Sequence, residues 1–225
     1  MNIFEWADLV DFTALRPPVW EATHRLASGM PLPAELVPVA EQITGHAGPW
    51  RPEGYKRVHV VAGRGSGKTD NGAAIIVHSS VLKDWSGTLR KGRTVWTGFA
   101  AQNREIGALA FEAALALLKQ TEDALHRKLI EQQNFTKDTG VITLRGTGTG
   151  IRVIARDPDS GRGPQWGDFV VEEAGAGAVG DDAARSVGRF VQSISPRVAG
   201  TTWLIGTPSG QLAGPLYRSF QRDRH

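Results

Sequence analysis

Val58-His59-Val60-Val61-Ala62-Gly63-Arg64-Gly65-Ser66-Gly67-Lys68-Thr69 reads as a buried strand, a glycine loop and the first turn of a helix. Val58, Val60 and Val61 are β-branched and suit a central strand. Gly63, Gly65 and Gly67 let the backbone turn tightly and approach a ligand closely. The helix that Lys68 and Thr69 open continues through Asn71-Gly72-Ala73-Ala74-Ile75-Ile76-Val77. Its first N–H groups lack intrahelical partners and face the loop, which makes an anion cradle. In a phosphate loop of this kind the lysine, here Lys68, reaches the β- and γ-phosphates of a nucleotide. The hydroxyl at the position of Thr69 ligates Mg²⁺. The pattern usually opens on Gly; Ala62 holds that place and Gly63 follows it.

The bulk numbers fit a reading as a nucleotide-binding α/β domain. The chain has 225 residues, 40% hydrophobic and 22% charged, enough for one large α/β domain. It has no cysteine, which excludes a disulfide framework and thiolate metal sites. No apolar run approaches the ~20 residues of a membrane helix. The start, Met1 to Asp8, carries acids where a signal peptide carries bases, so no membrane partner is expected. Charge is uneven: residues 1–50 sum to −4 and the remainder to +7. A basic body behind an acidic front is compatible with a polyanion partner.

In chain order, residues 4–14, 18–28 and 34–43 are expected as helices, with Pro18 in a first turn. They make an N-terminal helical subdomain, 1–49, ahead of an ATPase core, 50–225. Trp50, Pro52 and Tyr55 offer an apolar slot for an adenine, although packing is the commoner use of such residues. Arg93 to Phe99 is a second strand. A long helix is expected from about Gln102 to Gln133, with Phe111, Leu115, Leu118, Leu125 and Leu129 on one face and Glu122 interrupting it. Short strands follow near 134–137, 140–145 and 151–155, then an exposed loop from Asp157 to Pro164.

Phe169-Val170-Val171-Glu172-Glu173 is an apolar strand ending in two carboxylates. In nucleotidases with an extra strand beside the phosphate-loop strand, the first acid holds the Mg²⁺ shell and the second polarises the attacking water. Glu172 stands where the first acid is usually Asp. A further apolar strand, Thr202 to Gly206, ends at Thr207, which can sense a γ-phosphate. The acids Asp157, Asp159, Asp168, Asp181 and Asp182 lie in one linear stretch and do not make a two-metal nuclease pattern.

This set resembles the ATPase domain of the large terminase subunit, the DNA-packaging motor of tailed bacteriophages. The elements that carry the resemblance are Ala62 to Thr69, Ala100-Ala101-Gln102 before a long helix, Ser160-Gly161-Arg162-Gly163, Val170 to Ala174, and Thr207-Pro208-Ser209-Gly210. It implies an α/β P-loop NTPase of the additional-strand (ASCE) type, with a central, mostly parallel sheet flanked by helices. It implies Mg²⁺-dependent ATP hydrolysis in the host bacterium's cytoplasm. Gly63, Arg64, Gly65, Ser66, Gly67, Lys68, Thr69 and Thr207 would bind ATP, and Thr69 and Glu172 would bind Mg²⁺. Glu173, Lys68, Arg64 and Arg162 would be catalytic, Arg162 toward a neighbouring subunit. The implied partners are double-stranded DNA, the portal protein, the small terminase subunit and further copies in a ring, the isolated chain being a monomer. Large terminases continue into a nuclease domain, absent from this sequence. The rival readings are another nucleic-acid ATPase such as a helicase, and a nucleotide-binding assembly module without hydrolysis.

Overall fold

The valine-rich run forms strand β1, Arg57–Val61, and the glycine loop leads into helix α4, Lys68–Leu82. The structure, a computed structural model, describes residues 1–88, 93–136, 139–156, 159–172 and 181–208. After α4 come β2, Val95–Ala101, and α5, Arg104–Ala124. The remaining strands are β3, Ile130–Phe135, β4, Thr139–Leu144, β5, Thr149–Ala155, β6, Gln165–Glu172, and β7, Thr202–Gly206. They form one sheet in the order β1-β7-β6-β2-β5-β4-β3. All neighbours from β1 to β5 are parallel, and β4 and β3 extend the sheet antiparallel.

Two features of this topology position the site. Strand β7 lies between β1 and β6, the additional strand expected of this fold class. Because β1, β7 and β6 are parallel, their C-terminal ends meet: Val61 pairs with Gly206, and Glu172 with Ile205. Open α/β sheets bind ligands at that end.

Helices cover both faces. The N-terminal helices are α1, Ile3–Leu9, α2, Pro18–Ala27, and α3, Val37–Thr44. Asn2 caps α1 with a reciprocal bond to Glu5, and Pro18 occupies the first turn of α2. Trp6, Leu15 and Trp20 share a buried cluster with Ile76 of α4, Leu118 of α5 and Ile205 of β7. On the opposite face α6, Asp181–Ile194, sets Phe190 and Ile194 against Trp166 and Phe169 of β6. Gly72 lets α4 sit close to the sheet, since a Cβ there would lie 2.7 Å from the Phe99 ring.

The structure departs from the sequence reading in four places. The long helix ends at Ala124, not near 133, and β3 begins at Ile130. Glu122 causes the reversal: its buried carboxylate accepts N–H bonds from Leu129 at 2.6 Å and Ile130 at 2.8 Å. Burial opposes the charge, but the Ile130 and Leu129 amides outweigh it and hold the pKa below the usual carboxylate range. The helix expected over 4–14 stops at Leu9, where Asp11 turns to φ 52° ahead of a 3₁₀ turn at Thr13–Leu15. Residues 34–43 divide into a 3₁₀ turn, Ala34–Leu36, and α3. Helix α6 was not expected at all.

Candidate active site

The loop between β1 and α4 is shaped by its glycines. Gly65 has φ 72° and Gly67 has φ 75°, left-handed values that other residues rarely adopt. Open space lies beyond Gly63 and Gly65, where an added Cβ meets nothing within 4 Å. The backbone N–H groups of Gly65, Ser66, Gly67 and Thr69 have no acceptor among the described residues. Successive amides in this arrangement form an anion-binding concavity at the positive end of α4.

The side chains around the loop are already drawn in. Lys68 is buried, and its Nζ donates to the carbonyls of Gly63 at 2.8 Å and Ala62 at 3.3 Å. Ser66 Oγ donates to the same Gly63 carbonyl at 2.8 Å. Arg64 is exposed and makes no side-chain hydrogen bond or ion pair among the described residues.

Across the loop mouth stands Glu172, the last residue of β6 and only 4% exposed. Its Oε1 accepts the Thr69 hydroxyl at 2.5 Å. Thr207 follows β7 directly, and the Gly206 carbonyl beside it accepts the Ala62 N–H at 3.0 Å. Glu173 lies outside the described residues.

The donor set fits a magnesium nucleotide. A hydroxyl and a carboxylate are hard oxygen ligands, and Mg²⁺ is typically held by one or two carboxylates plus substrate phosphates. Among the described residues no group of three or more His, Cys, Asp or Glu gathers as a protein-only metal cage. Of the acids noted in the sequence, Asp168 lies low on β6. It is buried and spans to Lys83 Nζ at 2.5 Å and to the Thr201 N–H at 2.8 Å.

Arg162 lies on the loop between β5 and β6, where Ser160 Oγ donates to the Ala155 carbonyl at the C-terminal end of β5 at 2.7 Å. Arg162 Nη1 pairs with Asp159 at 2.9 Å on this exposed loop. The neighbouring Gly163 lines a cavity of about 390 Å³ with Val95 and Arg197, at the N-terminal end of β2. Of the three residues read as an adenine slot, Tyr55 lies away from the loop. Tyr55 sits ahead of β1, at the far end of that strand from the loop, with its N–H bonded to the Ala27 carbonyl. There it lines a cavity of about 680 Å³ with Trp203, Lys83 and Asp168.

Sequence reasoning missed four residues at the loop. Arg156, just past β5, brings Nη1 to 3.5 Å from the Glu172 carbonyl. Trp20, His24 and Asn71 hold the back of the loop. Asn71 was the one legible signal, a polar residue directly before the apolar run Gly72–Val77 of α4.

The sequence matches no known family model and no curated protein. The fold is shared with the large terminase of bacteriophage HK97, at TM-score 0.52 and 14% identity over 92% of this chain. The chain spans 42% of that protein. Two further matches are the large terminase ATPase domain of Thermus phage P74-26 and a mutant of it, both at TM-score 0.47. Their identities are 16% and 14%, over 76% and 75% of this chain and 69% and 68% of theirs. The likeness concerns the fold, which is the additional-strand P-loop fold read from the sequence. No helix among the described residues is long and apolar enough to cross a membrane.

Proposed function

We propose that the chain is a Mg²⁺-dependent ATPase of the large-terminase kind, whose hydrolysis moves viral double-stranded DNA into a procapsid. One observation carries the reading. Thr69 and Glu172 meet at the mouth of a glycine loop whose Gly65, Ser66, Gly67 and Thr69 amides have no acceptor among the described residues. The shared fold and the order of motifs support the packaging role.

In this reading the loop amides bind the β- and γ-phosphates. Lys68 exchanges its two loop carbonyls for phosphate oxygens, and Arg64 adds a second cation from the loop itself. Thr69 and Glu172 hold Mg²⁺, which when bound neutralises phosphate charge as it develops. Glu173 orients the attacking water and accepts its proton. Thr207 senses the γ-phosphate. Portal protein, small subunit and neighbouring copies complete the motor, with Arg162 directed to a neighbour's nucleotide.

Turnover by the purified chain tests the chemistry, and procapsid packaging tests its use. Lys68→Ala should abolish hydrolysis and weaken nucleotide binding. Glu173→Gln should abolish hydrolysis with ATP still bound, because only the water-activating charge is lost. A wild-type chain that binds no MgATP would overturn the assignment.

A further inference from the structure

Two carbonyls of the phosphate loop are held from behind by side chains outside it. Trp20 Nε1 on α2 donates to the Ser66 carbonyl at 2.7 Å. Asn71 Nδ2 donates to the Gly67 carbonyl at 3.0 Å and to the Ala14 carbonyl at 3.1 Å. These two acceptors fix the orientation of the Asn71 amide and leave its Oδ1 facing His24 Nε2 at 3.2 Å. His24 is therefore the donor there, through Nε2. Trp20, His24 and Asn71 are 4%, 1% and 0% exposed.

The consequence follows from peptide geometry. A trans peptide is planar, so the carbonyl of one residue and the N–H of the next point in opposite directions. Pulling the Ser66 carbonyl back toward Trp20 aims the Gly67 N–H forward into the cradle. The Gly67 carbonyl accepts the Asn71 backbone N–H at 2.9 Å, and Asn71 Nδ2 adds a second donor that holds it there, so the Lys68 N–H is aimed the same way. Both are among the donors that would meet a phosphate.

We propose that Trp20, His24 and Asn71 are positioning residues that set the aim of the Gly67 and Lys68 amides. Nucleotide affinity is thereby linked to the docking of α2 against the loop. The inference rests on the ATPase reading for its ligand, but the brace itself is a property of the chain alone.

The test uses the whole chain with four variants. Trp20→Phe keeps the ring and removes the donor. His24→Leu removes the bond to Asn71, and His24→Gln restores an amide donor at the Nε2 position. Trp6→Phe is the control. Trp6 Nε1 donates to Thr121 Oγ1 at 3.1 Å, equally buried but away from the loop. Backbone ¹⁵N order parameters are measured without nucleotide, and ATP affinity by calorimetry.

Trp20→Phe should lower the order parameter of the Gly67 amide and weaken ATP binding roughly tenfold, the loss of one buried hydrogen bond. His24→Leu should do the same at Lys68, and His24→Gln should recover it. Trp6→Phe should lower Tm and leave the loop amides unchanged. If Trp20→Phe does not fold, the His24 pair decides alone. Loop amides as ordered as wild type in Trp20→Phe, or in His24→Leu, overturn the inference. If wild type binds no ATP while Trp20→Phe loosens Gly67, the brace stands and the ATPase reading fails. If wild type binds ATP and no brace variant changes the loop or the affinity, the brace fails alone.

Discussion

The Thr69 hydroxyl donates to Glu172 Oε1 across 2.5 Å, joining the first turn of α4 to the last residue of β6. The two residues are separated by 103 positions. They meet because β7 sits between β1 and β6, so that both strands end beside the loop. The longer glutamate closes the gap to the hydroxyl directly, where the shorter aspartate usual at this place would stand back.

The first prediction concerns that extra methylene. Glu172→Asp withdraws the carboxylate from Thr69 and leaves room for an ion between them, so turnover should be kept or raised. Glu172→Gln keeps the length and loses the charge. It should lower metal affinity or activity by about 10–100-fold. Steady-state ATPase rates against Mg²⁺ concentration separate the two. A loss above tenfold in a folded Glu172→Asp variant would show that the site is built around the longer side chain.

Two arginines divide by position. Arg64 is in the phosphate loop and exposed, whereas Arg162 pairs with Asp159 on the exposed loop between β5 and β6. Arg64 belongs to the phosphate loop of its own chain. Arg64→Ala should therefore slow the isolated chain, by up to about 10³-fold if it acts as a finger does. Arg162→Ala should leave monomer turnover and ATP affinity within twofold and remove only the gain that assembly brings. Mixing Arg162→Ala with Glu173→Gln should restore part of that gain, each variant supplying what the other lacks. An inactive mixture, under conditions where wild-type rings form, excludes action in trans.

What could be read from the sequence was local. The β-branched run before Gly63, the Gly-Lys-Thr at 67–69 and the apolar run before Glu172 each report their own backbone. They were sufficient to place strand, loop, helix and acid. What could not be read depends on partners far along the chain. Nothing near Glu122 says that its carboxylate will cap the amides of Leu129 and Ile130, so the helix was extended through a turn and into a strand. Trp20 is another aromatic on an amphipathic helix until the fold brings Ser66 to it, 46 residues on. Tyr55 was placed near the loop because it is near in sequence, yet β1 carries the chain away from it.

Asp168 supports the sheet without touching the site. Its side chain is 2% exposed and ties Lys83, after α4, to the Thr201 N–H ahead of β7. Lys83 is 37% exposed and can turn to water, so losing Asp168 chiefly leaves the Thr201 N–H without its acceptor, at about 1–3 kcal/mol. Asp168→Ala should thus lower Tm by about 2–10 °C for a chain of this size. KM for ATP should not change, since the residue lies several β6 positions below Glu172. A shifted KM at full folding would tie Asp168 to the nucleotide after all.

The last prediction is a pH dependence of stability. Burial lowers the pKa of both His24 and His78 to about 4, with Lys83 adding to the shift at His78. Bonds to Asn71 and to the Met1 carbonyl act in the opposite sense without overcoming burial. In the unfolded chain both return to about 6.5. Below that pH the unfolded state binds protons that the folded state does not, so stability falls as pH drops from about 6.5 toward 4. Above 6.5 the histidines contribute no slope, and below 4 the loss stops growing. Each accounts for on the order of 2 to 3 kcal/mol over that window. Urea unfolding at pH 7 and pH 4.5 measures it. His24→Gln combined with His78→Gln should be less stable than wild type at pH 7 and lose less on acidification. A double variant as steep in pH as wild type would mean that neither histidine is held neutral in the fold. The brace behind the phosphate loop should then survive acid as well as the rest of the core.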